Sequence, residues 1–170
     1  MIGGMIATCA VAASAHAAPV VVTEKPGHTT QATVTVDASP QEVYRVASDY
    51  ARWPTVLADV TAVTIQRGGR RDARLKFRSK ALGRVVAIQF DNDPDRAIKF
   101  RGVGGPPGSN AYGEYRFEAI AGGRTRITAT FMLHAGGISS LFVSGAAVER
   151  MRRTKLQSDL ADLARCFARS

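Results

Sequence analysis

The 170-residue chain is poor in cysteine, histidine and acid, with 2 Cys, 3 His and 14 Asp+Glu against 23 Lys+Arg. Two cysteines are too few for a disulfide scaffold. His28 and His134 have no Cys, His, Asp or Glu partner at ligand spacing, and His16 lies in a segment expected to be removed, so no metal site is expected. No Gly-x-Ser-x-Gly elbow and no Cys–His constellation supports a nucleophilic triad. The glycine-rich run Gly102–Gly108 has two prolines and no following Lys-Ser/Thr, so it fails as a phosphate loop. No cofactor is expected. No helix-turn-helix, RNA-recognition motif or zinc finger accompanies the basic charge, so nucleic acid is not an expected partner. Apolar residues make up 45% and charged residues 22% of the chain, ordinary globular usage that excludes wholesale disorder, collagen-like repeats and a coiled coil.

Charge is wholly absent from residues 1–18, an Ala-rich apolar run ending in Ala15-His16-Ala17. Small residues flanking His16 fit a signal-peptidase site, with cleavage after Ala17 or Ala18. The run is shorter than the ~20 apolar residues of a membrane span. Threonine before Cys9 fits a lipoprotein site poorly. Export to the periplasm or medium is the expectation. Cleavage would remove no formal charge and leave the mature chain at +9. It would also leave Cys166 alone, read as a small half-buried residue on the last helix.

Residues 19–30 hold two prolines and a glycine and read as a linker, with one domain over 31–170. Gln31–Asp37 alternates as a half-buried strand. Ser39-Pro40-Gln41-Glu42 is a capping box with proline at the first helical position. The helix it opens ends near Trp53-Pro54, and a second short turn follows to Ala58. Six strands then succeed one another at Val60–Gln66, Arg71–Ser79, Arg84–Phe90, Ala97–Val103, Asn110–Ala119 and Thr125–Leu133. Gly-containing turns and the cluster Asp91–Asp95 punctuate them. From about Ser139 to Ala168 a long helix carries Leu156, Leu160, Leu163 and Phe167 at steps of four, three and four. The expected fold is α+β, an antiparallel meander of about seven strands wrapped around the C-terminal helix. A cavity between sheet and helix would suit an apolar ligand.

The stretch Ala38–Val60, with its Ser-Pro helix start and Asp49-x-x-x-Trp53-Pro54, resembles the START-like (SRPBCC, helix-grip) superfamily. The branch it looks like is that of polyketide cyclase/dehydrases and coenzyme Q-binding proteins. Gly113-Glu-Tyr-Arg-Phe117 with Gly122-Gly-Arg-Thr-Arg-Ile127 is similar to that family's late hairpin. The resemblance covers about residues 31–168. It implies a pocket for a lipid, quinone, sterol or polyketide, with cyclisation or dehydration in a minority of members, and it implies that Trp53 packs near the cavity wall.

Alternation and helical spacing place Leu75, Phe77, Phe90, Phe100, Tyr115, Phe117, Phe131, Leu156 and Leu160 inward, with Ile98 and Ile127 among them. With Trp53 they are the candidate ligand wall; a filled core is the competing reading. Arg74, Lys76 and Arg78 share the outer face of one strand. They form either a solvated face or a contact with anionic membrane lipid. His134 falls near the expected cavity mouth, while Tyr112 and Glu114 fall on the solvent side. Three functions remain: an exported carrier of a hydrophobic small molecule, a cyclase/dehydrase-like enzyme, and an envelope protein acting through partners. A filled interior would single out the last. A buried ionisable side chain facing the cavity would favour the enzyme.

Overall fold

Ser39 is extended, its hydroxyl accepts from the Glu42 N–H, and the Glu42 carboxylate accepts from the Ser39 N–H at 2.9 Å. This reciprocal cap starts helix α1, Pro40–Ala47, where the sequence places it. A 3-10 turn, Tyr50–Arg52, and a single-turn helix α2, Trp53–Val56, follow. The computed structural model describes residues 19–69, 71–104, 110–134 and 144–168. Around these helices it has strands β1 (Val21–Lys25), β2 (Thr29–Val36), β3 (Val60–Arg67), β4 (Asp72–Ser79), β5 (Arg84–Asp93), β6 (Ala97–Gly102), β7 (Asn110–Ile120) and β8 (Arg124–His134). Helix α3, Gly145–Arg165, ends the chain's regular structure.

All eight strands form one antiparallel sheet in the order β1-β2-β8-β7-β6-β5-β4-β3. The β2–β8 pairing, Val34 opposite Ile127, joins the early strands to the late hairpin. The short helices carry the chain from β2 to the far edge at β3. Burial alternates cleanly along β4, with Ala73, Leu75, Phe77 and Ser79 inside and Arg74, Lys76 and Arg78 exposed. Helix α3 packs on β2 and β8, with β1 at its flank. It therefore covers one half of the concave face and leaves space over β4, β5 and β6.

The sheet has one strand more than the sequence suggests, because the expected linker 19–30 contains β1. Val21 to Lys25 pair with Thr33 to Thr29. Pro26 and Gly27 sit in the tight turn, Gly27 and His28 both at positive φ. The Pro-Gly pair is a hairpin turn rather than the mark of a loose segment. Strand β5 also runs on to Asp93, through the expected turn cluster. The buried Asn92 side chain accepts from the Tyr50 hydroxyl at 2.9 Å, and the chain reverses only around Asp95. Helix α3 is described from Gly145, capped by the Ser144 hydroxyl. The expected signal segment 1–18, Arg70 of the basic hairpin, most of the glycine-rich loop and residues 139–143 lie outside the described residues. Cys166 is exposed at the end of α3 rather than half-buried.

Candidate functional site

A cavity of about 440 Å³ fills the space between α3 and β4–β8. Its depth is aromatic. Phe90, Phe77 and Trp53 pack edge to face at 5.5 and 5.8 Å, and the Trp53 indole N–H donates to the Ala47 carbonyl at 3.0 Å. Phe100 lies 5.9 Å from both Tyr115 and Phe131. Gly113 makes room for it: a Cβ there would stand 2.4 Å from the Phe100 ring and 2.2 Å from the Thr130 carbonyl oxygen. The exposed residues Ala81, Arg84, Gly102 and His134 also border the cavity and mark its open end.

Seven of the ten candidate wall residues line this space: Trp53, Phe77, Phe90, Phe100, Tyr115, Phe131 and Leu156. Leu75, Phe117 and Leu160 do not. Leu75 and Leu160 are completely buried in the surrounding apolar cluster, and Phe117 is covered edge-on by Tyr44 of α1. They face inward as strand alternation (Leu75, Phe117) and helical spacing (Leu160) require, but other side chains close over them. Arg74, Lys76 and Arg78 stand on the convex face, away from the cavity. Tyr112 is exposed, and Glu114 pairs with Arg116 at 2.9 Å, so neither reaches the interior.

The wall is not purely apolar. Lys155 and Asp159, one turn apart on α3, both line it. The Lys155 ammonium donates to the two Asp159 oxygens at 2.7 and 2.8 Å and lies 3.1 Å from Asp59. The Tyr115 hydroxyl donates to Asp159 at 3.2 Å. Asp59 accepts in addition from the Ser79 hydroxyl at 2.8 Å and the Ala81 N–H at 2.7 Å. One ammonium thus stands between two carboxylates, with a phenol on the second. The Lys155 and Asp159 side chains are only 17% and 6% exposed, so water screens them little. Burial drives the Asp159 carboxyl above its ordinary range, against the pull of Lys155 and the Tyr115 bond. Burial opposes the Lys155 charge, but the neighbouring Asp159 and Asp59 outweigh it and hold the ammonium more firmly than usual. Asp59, also penalised by burial, is carried below its ordinary range by the Ala81 N–H, Lys155 and Ser79. Burial first, then the Asp159 charge and bond, raise the Tyr115 phenol. A second void of about 20 Å³ adjoins Trp53, Tyr115 and Asp159, room for a single water.

Sequence reasoning missed Lys155, Asp159 and Asp59 as site residues. The signal lay in α3: Arg152, Lys155, Asp159 and Asp162 step by three, four and three, one residue ahead of the leucine stripe. A polar stripe at the same period beside an apolar one means that the buried face is wide enough to enclose both.

Among the described residues, no three His, Cys, Asp or Glu side chains gather where they could hold a metal ion. No helix among them is long and apolar enough to cross a membrane.

A curved antiparallel sheet gripping a C-terminal helix around a cavity defines the helix-grip class of START-like proteins. Within that class, residues 27–167 match the family described as polyketide cyclase/dehydrase and lipid transport, and the chain belongs to it. Over 116 residues, 65% of this chain, it is 31% identical to the granaticin polyketide synthase bifunctional cyclase/dehydratase of Streptomyces violaceoruber. The match spans only 36% of that relative. The Zhui aromatase/cyclase of Streptomyces sp. R1128 superposes with a TM-score of 0.65 at 21% identity, over 84% of this chain and 96% of that one. A START superfamily protein of Mycobacterium smegmatis gives 0.68 at 14% identity, over 83% and 97%. At these identities the two structures speak for the fold alone.

Proposed function

We propose that the protein is an exported carrier of a hydrophobic small molecule of the lipid, quinone or polyketide class. The observation that carries this reading is the cavity of about 440 Å³, walled by aromatic and aliphatic side chains. Each methylene moved from water into it gains ~0.8 kcal/mol. The phenol of Tyr115 and the Lys155–Asp159 pair give the wall one polar pole, able to orient a ligand carbonyl or hydroxyl. The uncharged, Ala-rich residues 1–18 support export. The exposed Arg74, Lys76 and Arg78 suit transient contact with an anionic membrane during loading. The test is native mass spectrometry of the protein purified from its own host, with extraction of any adduct. A stoichiometric lipid, quinone or polyphenol is the expected result. A bare mass, unchanged by a panel of lipids and quinones, contradicts it.

A second reading, cyclase/dehydrase-like catalysis, is favoured by the buried ionisable group itself. A carboxylate raised by burial is a stronger base, and Asp159 would remove a proton next to a ligand carbonyl that Lys155 polarises. Turnover of a poly-β-keto substrate that Asp159→Asn abolishes without loss of binding would establish it. Undiminished turnover in that variant would exclude Asp159 as the base, and no turnover by the parent chain would exclude the reading.

A further inference from the structure

Charge is distributed unevenly along the cavity. At the inner pole the Lys155 ammonium is shared by Asp159 and Asp59, two carboxylates around one cation, for a formal charge of −1. At the open end Arg84 borders the cavity, exposed, with no carboxylate within salt-bridge distance among the described residues. Among the other described wall residues, Lys155 and Asp159 are paired with each other, and the rest, His134 apart, carry no charged side chain. An anion is therefore repelled at the inner pole and attracted at the mouth, with apolar wall between the two. The surrounding turn adds Lys80, and the whole chain carries +9, so the approach to the mouth is also favourable for an anion.

We infer that the ligand is an anionic amphiphile, bound with its apolar body inside and its carboxylate, sulfonate or phosphate at Arg84. This rests on the carrier reading and narrows it. Arginine suits the role because its guanidinium meets such groups with two parallel hydrogen bonds and keeps its charge at any relevant pH. The neutral, oxygen-bearing end of the ligand then lies against Tyr115 and Lys155, and the molecule enters headgroup last.

Two probes sharing one ring system separate the claims: neutral N-phenyl-1-naphthylamine and its sulfonate, 8-anilinonaphthalene-1-sulfonate. Binding is read by probe fluorescence on the full chain, with displacement of each by the other to show a shared site. The inference predicts that the sulfonate binds more tightly and that salt weakens it alone. It also predicts that Arg84→Gln costs it roughly tenfold in affinity, as loss of a charged hydrogen-bond partner does. The neutral probe should be unaffected. Equal affinities of the two probes, unchanged by Arg84→Gln, would overturn the inference and leave the carrier reading intact. Sulfonate binding that the neutral probe cannot displace and that survives Arg84→Gln would overturn it too, because the anion would then sit on the basic surface. Failure of both probes to bind would overturn the carrier reading and this inference with it.

Discussion

Gly113 is the residue whose absence of side chain matters most to the cavity. It stands directly opposite Phe100 in the β6–β7 ladder, and the Phe100 ring occupies the space its Cβ would need. A clash at 2.2 Å with a backbone oxygen cannot be relieved by a rotamer change. Gly113→Ala should therefore cost ~3 kcal/mol, the upper range for overpacking, and push Phe100 toward the cavity. Urea unfolding checks the first effect and Trp53 fluorescence the second; an unchanged midpoint contradicts the steric account. Lys155→Met makes a different prediction. It leaves Asp159 and Asp59 facing each other without their shared cation, and breaking a buried pair from one side costs about 3–5 kcal/mol. Pairing with Asp159→Leu should recover much of that loss. No recovery in the double variant would mean that the pair's charge is not what destabilises the single one.

Strand β1 and helix α3 are held together at Glu24, which both Arg152 and Arg153 of α3 approach, at 3.4 and 3.7 Å. Arg152 is 4% exposed. Its guanidinium donates to the Thr30 hydroxyl at 3.0 Å, the Leu133 carbonyl at 3.4 Å and Glu24 of β1 at 3.4 Å. Thr30 in turn donates to Glu24 at 2.9 Å. Glu24→Ala removes the only carboxylate bonded to Arg152 among the described residues but leaves its two neutral acceptors. The expected cost is about 1–3 kcal/mol, with faster amide exchange in β1 than elsewhere in the sheet. Exchange that stays uniform would show that β1 is held by its ladder alone. This joint also explains why β1 was illegible. Val21–Lys25 has weak alternation and lies beside a Pro-Gly pair, so local pattern reads it as a linker; what fixes it is an arginine more than a hundred residues later. The capping box, the short helices and the hairpins were legible because their determinants are local. Of the site, the aromatic wall was legible from alternation along the strands. Leu75 and Phe117 share that alternation and Leu160 the helical spacing of α3, and only the third dimension shows that other groups cover them. The inner pole was hidden for the converse reason. Lys155 and Asp159 have the i, i+4 spacing of an ordinary exposed ion pair, and it takes the placement of Asp59 and Tyr115 to show that they are buried.

The molecule as a whole should lose stability more sharply in alkali than in acid. Lys155, Tyr115 and Tyr50 all hold their protons more tightly folded than unfolded. Their contributions are complete below the ordinary values of 10.0 to 10.5 and are lost as pH rises past them. In acid two carboxylates oppose each other. Asp59, lowered on folding, contributes stability above its ordinary value of 3.8 that is lost as pH falls through its folded value. Asp159, raised on folding, disfavours the folded state above 3.8, a penalty relieved on acidification. Denaturant unfolding should give a curve shallow near pH 4 and falling steeply above pH ~10, with Tyr115→Phe flattening the alkaline limb. A flat profile to pH ~11 would contradict the assignment of these groups as buried and paired.

The central claim is that the cavity, not the surface, is where the ligand sits. Val86 lies on the cavity wall and is half-buried. Val86→Trp would place an indole inside while leaving the β5 backbone in its ladder. The most direct test is native mass spectrometry of this variant beside the parent chain, both purified from the same host, with circular dichroism confirming equal folding. The account predicts a stoichiometric small-molecule adduct on the parent and none on the folded variant. An adduct of equal occupancy on both would place the ligand elsewhere and contradict it.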